Sequence, residues 1–173
     1  MKTKKQPISE NTLAFQYLPA NYSDSFECRF TSTKEITADD VLISFWTNFP
    51  KWVEFLFKLR NVLVKPFKIE SDKSIDKLSQ SIKECISEGK AFDFMSVVSK
   101  SENETILCVD DKHLKFYISV LVDKDAKHNQ SITASTIVKY HNFLGRCYFI
   151  VISPFHNIIV KNMIKYIVKK KYI

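Results

Sequence analysis

Residues Phe143–Ile173 read FLGRCYFIVISPFHNIIVKNMIKYIVKKKYI, and the period of their apolar residues decides the architecture. Tyr148, Ile152, Phe155, Ile159, Met163 and Tyr166 recur in steps of four and three, the spacing that gathers side chains on one helix face. A second set, Val151, Ile158, Val160, Ile164, Ile167 and Val168, widens that face, and only Ser153, Asn157, Lys161, Lys165 and Lys169 form a polar row. A helix apolar around most of its circumference must be wrapped by other structure. Pro154 lacks the N–H that would bond a carbonyl one turn back, so a kink or a fresh helix start is expected there. Residues Phe143–Ser153 stay open to two readings: the first half of the helix, which we prefer, or a last β-branched strand ending at Pro154.

The chain of 173 residues suits one domain with a sizeable core, here divided into an arm over 1–21 and a domain over 22–173. Two glycines are too few for a phosphate loop or a dinucleotide fingerprint, and no cofactor is implied. The net charge of +7 raises nucleic acid as a partner. Among 26 basic residues, however, only Arg29, Arg60 and Arg146 are arginines able to fork onto a phosphate or a base edge. The lysines cluster at both termini, the pattern of a solvated surface, so nucleic acid is disfavoured. Cys28, Cys85, Cys108 and Cys147 form no CxxC pair and no metal-ligand cluster. Free thiols of this kind point to the cytoplasm. The start MKTKKQPISENT has no apolar stretch of the signal-peptide type. The uncharged run Cys147–Val160 is too short for a bilayer and contains Pro154, His156 and Asn157, so no membrane span is read.

Upstream, Ser23–Phe30 alternates, with Phe26, Cys28 and Phe30 on one side, as in a half-buried strand. Thr37 with Asp40 three residues on forms an N-cap signal for a helix through Trp46, and Pro50 opens a second helix carrying Trp52, Leu56 and Leu59. Ser74–Glu88 reads as an amphipathic helix with Gly89 as its C-terminal cap. The period then changes to two: Phe92–Ser99, Glu104–Val109, His113–Val122 and Ser131–His141 are strands joined by polar turns, which makes an antiparallel meander. The expected class is therefore α+β, with helices between the first strand and the meander. A curved antiparallel sheet would grip the long kinked C-terminal helix, an arrangement that often leaves a cavity between sheet and helix.

The pairing of Leu144, Gly145, Arg146 and Tyr148 with Pro154, Phe155, His156, Ile159 and Met163 resembles the signature of domain-of-unknown-function family 2867. Asp111–Phe116 and the Asp24 strand fit the same pattern. The resemblance implies similarity to the START-like helix-grip superfamily, whose members hold apolar ligands. It also implies a possible association with a dehydrogenase-like protein, because members occur fused behind a dinucleotide-binding domain of that kind. It carries no catalytic residues with it.

Arg146 is the first candidate, either as an anion clamp at a cavity mouth or, the reading we prefer, as an ion pair with a carboxylate such as Asp111 that fixes the helix to the sheet. His113, His141 and His156 could converge as a metal site or a base, yet each is better read as structural for want of ligand spacing. Asp110 and Asp111 suit a hairpin turn. Cys147, beside Arg146, is read as a packed thiol. Tyr148 joins the ligand-lining set, and Trp46 and Trp52 flank a helix break where they could line an entrance or simply fill core. The expected function is binding of an apolar or amphipathic small molecule. The alternatives are a module docking on a dehydrogenase-like partner, and an enzyme using Arg146, Asp111 and His113.

Overall fold

The computed structural model describes residues 2–48, 50–55, 75–88, 91, 95–125 and 129–173. Six strands, β1 (Thr3–Gln6), β2 (Tyr22–Thr31), β3 (Met95–Lys100), β4 (Glu104–Asp110), β5 (Leu114–Lys124) and β6 (Asn129–Tyr140), form one sheet in the order β1-β2-β6-β5-β4-β3. Every pairing is antiparallel, and β3 to β6 are the expected meander. The first long strand closes onto the last one, Phe26 opposite Ala134 and Cys28 opposite Ile132. That crossover brings residues more than a hundred positions apart into one ladder.

Three helices follow the sequence signals: α1 (Ala38–Thr47), α2 (Ile75–Glu88) and α3 (Phe143–Lys171). Thr37 caps α1, its hydroxyl oxygen accepting the Asp40 N–H at 3.1 Å while its O–H donates to the Asp40 carboxylate at 2.7 Å. Residues 51–55 are helical; Leu56, Leu59 and Gly89, assigned above to a second helix and a cap, lie outside the described residues. Phe143–Ser153 is helix, so the strand alternative does not hold. Pro154 sits inside α3 without starting a new helix. The carbonyl it leaves without an N–H partner is that of Ile150, and the Ser153 hydroxyl donates to that oxygen at 3.3 Å. A side chain thus fills the place of the missing backbone bond.

The inward residues of β2, β4, β5 and β6 pack against α1, α2 and α3. Leu42, Ile82, Leu107, Ile132, Met163, Ile164 and Ile167 are all buried with less than 2% exposure, so this layer is densely filled. The architecture is consistent with a helix grip. The opposite face of the sheet is covered as well, which the alternation of β5 did not reveal. Tyr117 and Ser119, on its polar side, are buried. Their cover is the N-terminal segment, which contributes an edge strand, β1, and a 3-10 turn at Leu13–Tyr17 to the domain. Ala14 is buried among Ile106, Cys108, Tyr117 and Ile137, and the Tyr17 ring stacks on Tyr117 with centroids 4.1 Å apart.

Glu104 holds this segment down. Its carboxylate is buried at 2% exposure and accepts the Leu13 N–H at 2.6 Å, the Ala14 N–H at 3.1 Å and the Ser119 hydroxyl at 2.6 Å. A buried charge needs such a set of donors to offset the loss of water. Glu104→Ala leaves three donors without an acceptor. It is expected to lower stability by about 3 kcal/mol and to release the arm, read by urea unfolding and by faster amide exchange at Leu13 and Ala14. Glu104→Gln, which keeps an acceptor oxygen, is expected to recover part of the loss.

Candidate functional site

Most of the candidate residues meet where the β4–β5 turn, the end of β6 and the start of α3 come together. Asp111 folds the turn onto itself: its Oδ1 accepts the N–H groups of His113 at 2.6 Å and Leu114 at 2.9 Å. The His113 carbonyl accepts the His141 N–H at 2.9 Å, joining the turn to β6. Asn142 is the N-cap of α3, accepting the Gly145 N–H on Oδ1 at 3.0 Å and donating from Nδ2 to the Lys112 carbonyl at 2.9 Å. A Cβ on Gly145 would lie 2.0 Å from the His113 carbonyl oxygen. The glycine is therefore required by backbone contact between the helix and the hairpin.

Asp110 sits beside this junction, 2.8 Å from His141 Nε2 and 2.9 Å from Lys115 Nζ. Partial burial pushes its carboxyl up, but the hydrogen bonds from His141 and Lys115 outweigh that and hold it below the usual carboxylate range. Arg146 is exposed, its backbone N–H bonded to the Asn142 carbonyl at 3.2 Å. Among the described residues it makes no ion pair, with Asp111 or any other carboxylate. Tyr148 packs half-buried beside Leu114, Val138 and Phe149. Trp46 and Trp52 belong to a different region. Their neighbours Ser44 and Asn48 bond Lys171 and Lys170 at the far end of α3, about 24 residues or roughly 36 Å of helix from Arg146. The seven candidates do not share one site.

His156 parts from the other two histidines and joins a polar cluster beneath α3. Its Nε2 lies 3.1 Å from the Thr136 hydroxyl and 3.6 Å from Asp24 Oδ2. The Tyr22 hydroxyl, 2.5 Å from that same Asp24 oxygen, is also 3.1 Å from Asn157 Oδ1. Burial first, then the adjacent Asp24 carboxylate, pushes the Tyr22 hydroxyl well above its ordinary range, which keeps it protonated and donating. Asp24 Oδ1 is buried and has no hydrogen-bond partner among the described residues. Sequence reasoning missed Tyr22 and Asp24. The available signal was an acid at an inward position of β2, two residues before Phe26.

Among the described residues, the layer between the sheet and the last helix is packed with buried side chains. Two clefts of about 450 Å³ lie instead along the N-terminal segment. One of them runs over Gln6, Ser25, Glu104, Thr133 and Ser135 and is polar.

The outward side of the first half of α3 is apolar. Phe143 is 74% exposed, Ile150 58% and Ile158 53%, with Leu144, Val151 and Phe155 exposed beside them. Their spacing of three, four and seven residues places them on one face. By length and composition alone α3 could cross a membrane, and only 17% of its most apolar 18-residue window is buried.

Two outcomes check the junction. Gly145→Ala should cost about 3 kcal/mol, seen as a fall of roughly 10 °C in thermal unfolding, because backbone rather than a pliable side chain must give way. Asp110, with its carboxyl lowered in the fold, stabilises above the carboxyl's unfolded value near about 4, and that contribution is lost as pH falls through the folded value. Asp110→Asn should therefore lower stability at neutral pH, where the contribution is fully present, and flatten its decline in that acid window, as measured by urea midpoints across pH.

No curated protein and no solved structure matches the chain. A family model described as a protein of unknown function, DUF2867, matches residues 17–163. With most of its length covered, including both β2 and the Gly145–Met163 part of α3, the chain belongs to the DUF2867 family.

Proposed function

We propose that this domain is a docking module whose interface is the outward face of the first half of α3. One observation carries the reading: six large apolar side chains, Phe143, Leu144, Ile150, Val151, Phe155 and Ile158, stand exposed on one face of a single helix. Scattered exposed apolar residues are ordinary, whereas a contiguous stripe marks a surface that another surface completes. The dehydrogenase-like protein implied by the family resemblance is one candidate for that partner. Binding of an apolar small molecule between sheet and helix has weaker support, since that layer is filled with Leu42, Ile82, Leu107, Met163 and Ile164. An enzymatic role for Arg146, Asp111 and His113 has less still, because Asp111 Oδ1 is engaged by the turn's own N–H groups.

The test uses Ile150→Asp combined with Ile158→Asp. Both positions are exposed, so thermal unfolding should stay within about 1 kcal/mol of the wild type. Wild-type protein is expected to associate with a soluble protein or with the membrane fraction of a native lysate, and the double variant with neither. Wild type and variant behaving alike in both fractions would remove the reading.

A further inference from the structure

Building on the docking reading, we propose that the surface that α3 meets is an anionic phospholipid layer. The charge along the helix points there. Between Phe143 and Lys171 there are six cations, Arg146, Lys161, Lys165, Lys169, Lys170 and Lys171, and no Asp or Glu. An α-helix repeats its orientation after five turns, about 18 residues. Lys161 therefore projects in the direction of Phe143, and Lys169 in the direction of Val151; both lysines are exposed. The same outward face is apolar over its first half and cationic over its second.

A second copy of the chain fits this face poorly. Paired in either direction, two such helices set cations against cations or against apolar side chains, and neither brings an acid to answer them. An anionic bilayer satisfies both halves at once. Ile150, Phe155 and Ile158 enter the boundary between headgroups and acyl chains, while Lys161 and Lys169 lay their alkyl stems along it and leave their ammonium groups among the phosphates. The choice of lysine favours lipid over an acidic protein groove. A compact, mobile point charge suits a fluid headgroup layer, whereas fixed carboxylates are better met by the planar fork of arginine. The most exposed apolar residue of the helix, Phe143, stands at its very start. The overall charge of +7 adds a long-range attraction to the same surface.

Cosedimentation of the whole chain with vesicles of phosphatidylcholine plus phosphatidylserine, against phosphatidylcholine alone, tests the proposal. Binding to the anionic vesicles is expected to be at least ~10-fold stronger and to weaken steeply as salt is added. Lys161→Gln and Lys169→Gln should each weaken it by about 5-fold. Ile150→Asp with Ile158→Asp should abolish it while the thermal unfolding curve stays in place. Absence of vesicle binding, equal binding to both compositions, or an unaffected aspartate variant each overturns the lipid assignment. If vesicles are ignored but a soluble protein is still bound through Ile150 and Ile158, the lipid assignment falls and the docking reading stands. If neither surface is bound, both fall.

Discussion

The approach of Gly145 to the carbonyl of His113 governs how α3 lies on the rest of the molecule. A single missing Cβ lets the first turn of the helix rest on the backbone of the β4–β5 hairpin. Asn142 fixes the same point from two sides, capping the helix and gripping Lys112. Together these contacts set the roll of the helix about its axis. Once the roll is set, Phe149, Val160, Ile164 and Ile167 must turn toward the sheet and Phe143, Ile150 and Ile158 away from it. The division between core face and outward face is thus decided at the first turn.

Beneath the helix the chain keeps polar groups where apolar ones would fill the space as well. Asp24, Tyr22, Thr136 and His156 occupy inward positions beside a dense aliphatic layer. Burying a carboxylate in such a place costs stability unless hydrogen bonds offset it, and the Tyr22 hydroxyl offsets part of it. The cluster ties β2 and β6 to the middle of α3, below the level where the hairpin holds its start. Phe149 and Tyr22, 4.7 Å apart between ring centroids, pack between the two levels.

Periodicity made the framework legible. The step of two across Leu114–Val122, the Thr37–Asp40 cap and the three-four spacing after Tyr148 each reflect a local backbone geometry, and each element lies where its pattern put it. The strand within the arm was hidden because β1 is a short polar edge strand, TKKQ, whose pairing with β2 depends on backbone bonds that leave no mark in composition. The site was harder still. Arg146, His113 and Asp111 stand out by chemistry and do meet near one junction, but whether a side chain closes a turn or faces a ligand depends on partners far along the chain. Asp24 and His156 illustrate this: they are more than 130 residues apart, and neither is unusual alone. The outward stripe was misjudged for a different reason. A helix apolar nearly all round was expected to be enclosed, whereas the sheet covers one side of it.

The clasp between Glu104 and the amides of Leu13 and Ala14 spans 91 and 90 residues of chain. Ser119 from the neighbouring strand completes the same carboxylate shell, so the full set of donors is assembled only once β4 and β5 have paired. Contacts of such long sequence separation form slowly, so the segment around Leu13 settles after the meander has assembled. Until then the second face of the sheet, with Tyr117, Ile106 and Ile137, stands uncovered. The N-terminal segment therefore acts as a late seal, and nascent or partly unfolded molecules would carry an adhesive surface that the finished molecule does not show.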